Sequence, residues 1–310
     1  MCCLFGVMDC GHRFSGRERS RMLNLLARAC EVRGTDATGI AYNTRGKLRI
    51  YKRPLPAHNL RLRIPEDALV IMGHTRLATQ GSEKKNYNNH PWRGKAGSTF
   101  FALAHNGVLH NDGALRNNLH LPPTRIETDS YVGVQILEQK RALTFDSLKF
   151  MAEKVEGSFA FSLLDEDNQL YFVKGDNPLC LYYFPDCRLY LYASTEAILL
   201  SALERMPFTL GRPTAIALRC GDILKLDAGG KQSRASFSTA YFDRQWFCDS
   251  DFFYHRPVRA SSGTFEDFYL EDLKSIAGAF GYTPEDVDAL LREGFTTDEI
   301  EDALYCCGEL

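Results

Sequence analysis

The chain opens MCCLFGV, which places Cys2 and Cys3 directly behind the initiator methionine. A thiol titrates at about 8.5 and an α-amine at about 7.7–8.0. Removal of Met1 would give Cys2 a nucleophile and its own base on one residue, as in enzymes with an N-terminal threonine. Cys3 would need two residues removed, so Cys2 is the better candidate. A buried first strand also accommodates a cysteine here, and motifs elsewhere decide between the two. HNGVLHN, from His105 to Asn111, offers the Asn106 side-chain amide and the Gly107 backbone N–H. Attack on an amide makes a tetrahedral oxyanion, which needs donors already aimed at it. Glycine lets the backbone approach without a Cβ. Standing alone, an Asn-Gly pair reads as a β-turn.

These residues need a frame. CCLFGVM is an apolar run of strand length, and LVIMGHT and TFFALAHNG are apolar runs that end in polar residues. Such endings mark functional loops at strand ends. Between them, Ser15 caps a helix with Met22, Leu23, Leu26 and Ala29 at helical spacing, stopping at Gly34. TGIAYNT and KLRIYKR read as strands around Arg45-Gly46. TDSYVGVQILEQKR and TFDSLKFMAEKVEG read as consecutive helices, each with a threonine available as cap. SFAFSLLD, QLYFVKG, CLYYFP and RLYLYAS are short and rich in aromatic and β-branched residues, as strands are. STEAILLSAL is a helix, and TAIALRCGDILKLDA reads as strand, turn, strand.

Composition excludes several classes. The chain has 310 residues, 45% hydrophobic and 25% charged, with a net charge of -2. That is ordinary for a globular protein and does not advertise nucleic acid. The alternating charges of RGKLRIYKR read as the wet face of a strand rather than an RNA contact. No apolar run is long enough for a membrane span, and no signal peptide is evident, so a cytoplasmic protein is expected. Ten cysteines occur without a CxxC pair, which argues for reduced, mostly buried thiols and no structural zinc. From Thr264 onward there are 13 acidic and 2 basic residues, a net of -11 that leaves +9 on the rest of the chain.

Five blocks stand in order: CCLFG, RGTDATG (33–39), GHTRLATQGS (73–82), HNGVLHN (105–111) and IETDSY (126–131). Together they resemble the motifs of the class II glutamine amidotransferase domain, a member of the N-terminal nucleophile hydrolases. The resemblance runs from Cys2 to about Asp222. Cys3 replaces a family glycine, Leu4 an isoleucine, and Ser130-Tyr131 the final Thr-Glu of TDTE. Leu77 stands where an aromatic residue is common.

The resemblance implies an α+β fold, a four-layer α/β/β/α sandwich of two mostly antiparallel sheets between helices. It implies hydrolysis of the side-chain amide of L-glutamine to glutamate and ammonia through a Cys2 thioester. Asn106 and Gly107 would then form the oxyanion hole. Arg76 suits the substrate α-carboxylate, because a guanidinium binds both oxygens, and Asp129 suits the α-ammonium. Thr75 and Thr79 would line the pocket. Arg33, with Asp36, either shapes its floor or acts in it. His74 and His105 read as buried, hydrogen-bonded histidines, and His90 has no assigned role. No metal or cofactor is implied.

Residues 2–255 form the amidotransferase domain, 256–264 a linker and 265–310 an acidic three-helix module. That module has a composition-level likeness to a ubiquitin-associated bundle. It either docks a partner, such as an ammonia-accepting synthase, or packs as a solvated lid on the basic body. Two alternatives stay open: hydrolysis of another amide, and a glutamine-sensing module without turnover.

Overall fold

The computed structural model describes residues 2–244 and, beyond them, residues 270, 273–274, 277, 282–297 and 300. The chain divides into two compact units, Met1–Phe242 and Asp243–Leu310.

In the first unit, alternation of apolar residues builds two sheets. A seven-stranded sheet runs in the order β11 (Thr214–Ala215), β9 (Cys180–Phe184), β10 (Leu189–Ala193), β1 (Cys3–Asp9), β4 (Val70–Arg76), β2 (Ala37–Thr44) and β3 (Lys47–Arg53). A six-stranded sheet runs β13 (Gln232–Ser236), β12 (Asp222–Leu226), β8 (Leu170–Lys174), β7 (Gly157–Asp165), β6 (Thr99–Leu109) and β5 (Trp92–Ala96). Pairing is antiparallel throughout both sheets. Leu4 and Met8 of β1 meet Ala102, Ala104, Ala160 and Phe172 of the other sheet in a shared core. By strand alternation, Cys3, Phe5 and Val7 then take the opposite, helix-covered face.

Helices α1 (Gly16–Ala29) and α5 (Glu196–Glu204) pack on each other and on β1 and β10. Helices α3 (Tyr131–Lys140) and α4 (Phe145–Lys154) pack together, α3 against β5 and α4 against β12. The result is the expected helix–sheet–sheet–helix sandwich. Ser15 and Glu18 form a capping box on α1, Thr144 and Ser147 do so on α4, and Thr195 caps α5.

Several elements differ from expectation. TAIALRCGDILKLDA is strand, turn and strand as read, but its first strand is only Thr214–Ala215 and the two strands join different sheets. Thr214–Ala215 pairs with β9 in one sheet, whereas Asp222–Leu226 pairs with β8 and β13 in the other, so the segment crosses between layers. Thr128 does not cap α3. The helix starts at Tyr131, and tight three-residue turns hold 128–133 instead. Among the described strands and α-helices, four were not expected: β5, β13 and the short helices α2 (Asp112–Asn118) and α6 (Ala240–Arg244). β13 (QSRAS) has no apolar alternation and is specified only by its neighbour β12.

The continuously described residues end with α6 (Ala240–Arg244), and in the second unit α7 spans Pro284–Glu293. Thr283 and Asp286 cap α7 reciprocally, Pro284 is its first residue, and Gly294 closes it at φ +100°, as glycine favours. The expected linker 256–264, most of the module 265–310, Cys306 and Cys307 lie outside the described residues. Among the described residues no helix is long and apolar enough to cross a membrane.

Gly39 of β2 tests the packing. A Cβ there would stand 2.0 Å from the His90 carbonyl, so Gly39→Ala should cost about 1–3 kcal/mol through overpacking. Gly113 in α2 faces open space, so Gly113→Ala should gain a few tenths to about 1 kcal/mol. Urea melts of the two variants check the contrast.

Candidate active site

β6 runs past its neighbour β5, whose pairing with it stops at Leu103. The rest of β6 is bonded on one side only, to β7. Ladder alternation turns the backbone groups of residues 105, 107 and 109 toward the open side. The His105 carbonyl accepts from His74 Nε2 at 2.9 Å, and the Leu109 N–H donates to Asp129 Oδ2 at 2.6 Å. The Gly107 N–H lies between them on the same side. Gly107 has φ +137°, and a Cβ there would stand 2.0 Å from the Ser158 carbonyl, so only glycine fits.

The terminal strand reaches this edge through β4. Cys3 pairs with Thr75, which brings Cys2 beside Arg76 and Leu77. The half-buried Cys2 thiol contacts the Leu77 carbonyl at 3.4 Å. Burial raises its pKa; the Leu77 contact and the Arg76 guanidinium oppose the rise, and Asp129 adds to it. Arg33 Nε donates to the Cys2 carbonyl at 3.3 Å. Asp36 accepts from Ala78 N at 2.7 Å and fixes the turn that carries Leu77.

Ser194, fully buried, joins the strands. Its hydroxyl accepts from Leu4 N at 2.8 Å and from Asn106 Nδ2 at 3.3 Å, and it also bonds the Cys3 thiol. The strand that follows the nucleophile candidate and the oxyanion candidate are therefore tied through one oxygen. Sequence reasoning missed Ser194, because beside the α5 cap Thr195 it looks like capping sequence.

Arg76 is 2% exposed, and burial lowers its pKa. Its guanidinium donates to Asn89 Oδ1 at 2.6 Å, Gln80 O at 2.6 Å and Gly81 O at 2.7 Å. Two of its five N–H groups remain for a ligand. Asn89 also donates to the Glu83 carbonyl at 2.8 Å, and Asn88 to Glu127 at 2.9 Å, so both asparagines of NNHPW organise the loop around Arg76. That role was missed too; their only sequence signal is two adjacent amides before a proline.

Asp129 accepts a second bond, from Ser130 Oγ at 3.1 Å, while Ser130 meets His105 Nδ1 at 2.7 Å. Ser130, a departure from TDTE, thus keeps a hydroxyl beside Asp129. Thr75 is buried and donates to the Cys30 carbonyl at 3.1 Å. Thr79 is exposed on the turn after β4. Arg76 and Asp129 both act on the Cys2 thiol, Asn106, with Gly107 next to it, reaches Leu4 through Ser194, and Arg33 holds the Cys2 backbone; the Thr75 hydroxyl is turned to backbone.

Three buried histidines lie behind the site. His90 stacks on His74 and packs on Trp92, each with ring centroids 3.9 Å apart. Burial pushes His74 down to about 3 and His105 to about 4, and His90 well below its usual range. All three are neutral at pH 7. Among the described residues, His90 has no hydrogen-bond partner on either nitrogen.

Residues 74–201 match the family described as "Glutamine amidotransferase domain". That span includes Arg76, Asn106, Gly107 and Asp129 but not Cys2. The glutamine–fructose-6-phosphate aminotransferase (isomerizing) of Listeria innocua serovar 6a is 29% identical over 216 residues, 67% of this chain and 35% of its own length. That of Chlamydia muridarum is 31% identical over 202 residues, 60% of this chain and 33% of its own. The chain therefore spans about a third of the length of these relatives. The solved allosteric regulatory enzyme of purine biosynthesis aligns with TM-score 0.63 and 19% identity, over 89% of this chain and 57% of the other. Glutamine phosphoribosylpyrophosphate amidotransferase from B. subtilis gives TM-score 0.60 and 20% identity over the same shares. At these identities the two structures speak for the fold.

The neutral histidines predict a pH effect. The folded-state pKa of His90 is depressed, so the unfolded chain binds a proton first as pH falls below about 6.5. Wild type should then lose stability relative to His90→Leu, by up to about 1.4 kcal/mol per pH unit. Urea melts of both proteins at pH 7.5, 6.5 and 5.5 measure it; parallel pH trends would contradict a neutral His90.

Proposed function

We propose that the chain carries a class II glutamine amidotransferase domain and hydrolyses the side-chain amide of L-glutamine, with Cys2 as nucleophile once Met1 is removed; the family match over residues 74–201 and the similarity to the aminotransferases support this. The observation that carries this is the joint at Ser194, which holds the Cys2 strand and the Asn106 amide on one hydroxyl.

The chemistry follows from the geometry. A thiol raised by burial is protonated at neutral pH and needs a base. The α-amine of Cys2 takes its proton, and sulfur attacks the amide carbon. The second N–H of Asn106 Nδ2 and the Gly107 N–H receive the oxyanion, since the first is given to Ser194. The amine returns the proton to the leaving nitrogen, ammonia departs, and a γ-glutamyl thioester remains. Water, activated by the same amine, releases glutamate and restores the thiol. The two uncommitted Arg76 N–H groups receive the substrate carboxylate, and Asp129, already oriented by Leu109 and Ser130, receives the ammonium. Arg33 positions the terminal residue through its carbonyl. Thr79, at the exposed turn, contacts substrate from the rim, and Thr75 steadies the strand from behind.

The ammonia goes to an acceptor enzyme or a partner docked on the acidic C-terminal module. The domain plan is 2–255, linker 256–264 and module 265–310.

A diazo-oxonorleucine adduct, read by intact mass, tests the reading. One adduct should form on a chain lacking Met1, vanish in Cys2→Ala and persist in Cys3→Ala; an adduct on Cys3 would overturn it. Asn106→Ala should lower kcat about 10²–10³-fold. Asp129→Asn and Arg76→Lys should act mainly through KM, because the matching substrate charge is left unpaired. kcat/KM should climb about tenfold per pH unit below about pH 7.5 and level off above the amine pKa.

A further inference from the structure

β3 and β5 are each one of the two edge strands of their sheets, and a groove of about 680 Å³ opens along them. Buried Leu48 and Trp92 belong to its lining. Arg49, Lys52, Arg53, Arg93 and Arg125 also line it, and no carboxylate does. None of these five cations forms an ion pair among the described residues. Glu127, which follows the groove residue Ile126, is already engaged by Lys85 and Asn88.

We propose that this groove binds a small phosphorylated molecule. Five like charges in one concavity repel each other, and a polyanion turns that repulsion into attraction. Guanidinium forks match phosphate oxygens in pairs. Lys52 is the fixed point: its ammonium donates to the Pro91 carbonyl at 3.1 Å and to the Asn89 carbonyl, which leaves one donor. Arg125 lies over the Tyr87 ring at 4.8 Å and Arg93 over Phe100 at 4.4 Å, so the rings set where the guanidinium groups stand without neutralising them. The volume suits a ligand of nucleotide or sugar-phosphate size. The segment carrying Asn86 and Tyr87 into the groove continues to Asn89, which holds Arg76.

Isothermal titration of the full chain with ATP, glucose 6-phosphate, pyrophosphate and adenosine tests this. At least one phosphorylated compound should bind with Kd below about 1 mM, and adenosine should bind at least about tenfold more weakly. ATP alone would identify a nucleotide, and glucose 6-phosphate alone a sugar phosphate. The double variant Arg49→Ala/Arg93→Ala should weaken binding at least about tenfold while its circular dichroism and melting curve stay unchanged. The Lys52→Gln variant, titrated separately, should weaken it comparably. The proposal fails if no phosphorylated compound binds, if adenosine binds equally well, or if the double variant binds like wild type. It also fails if only a single-stranded oligonucleotide binds, since the groove would then be a nucleic-acid surface.

Discussion

A strand that outruns its neighbour leaves backbone groups that must find partners, and the end of β6 is such a place. Its buried position makes an unmet N–H or C=O costly. Two of the three outward residues are answered by side chains, His74 on the His105 carbonyl and Asp129 on the Leu109 N–H. These answers place a carboxylate, an imidazole and a free-standing Gly107 N–H within two turns of the pleat. The site is thus the solution to a sheet-edge problem, and β1 and β4 of the other sheet are arranged around it.

Arg76 poses the opposite difficulty, a buried cation. An isolated guanidinium there would be strongly disfavoured. The loop 80–89 answers with two backbone carbonyls and one side-chain amide, all neutral acceptors. Neutral acceptors solvate the charge without cancelling it, so the guanidinium keeps its attraction for an anion. A carboxylate in place of Asn89 would stabilise the loop and quench the site. The same reasoning separates Asp129 from an ordinary ion pair: its partners are an N–H and a hydroxyl, so its negative charge stays available.

The five motif blocks were legible because each rests on local pattern, and the sandwich was legible through the resemblance those blocks carry. β1, β4 and β6 are apolar runs ending in chemistry-bearing residues, and Ser15 and Thr144 announce their helices by side chains that bond three residues on. Positions set by distant partners were not legible. Ser194 looks like part of a helix cap until Leu4 and Asn106 are brought to it from 190 and 88 residues away. β13 is a strand only because β12 offers an edge. Thr128 failed as a cap because Asp129 and Ser130 answer to Leu109 and His105, and that pairing dictates the turn entering α3. The charges of RGKLRIYKR read as one wet strand face; only the meeting of β3 with Trp92, Arg93 and Arg125 gathers them into a concavity.

The arrangement also narrows which group can accept the thiol proton. His74 and His105, at about 3 and about 4, and His90, lower than usual, hold protons too weakly to take one from a thiol that burial has raised. The carboxylate of Asp129 opposes thiolate formation at Cys2, and Arg76 favours the thiolate without being able to accept a proton. His74 and His90 are instead a stacked pair, through which His74 holds the His105 carbonyl in place. None of these described groups offers the Cys2 thiol a base, which is the part that the proposed use of its own α-amine would fill, with a reach fixed covalently rather than by packing.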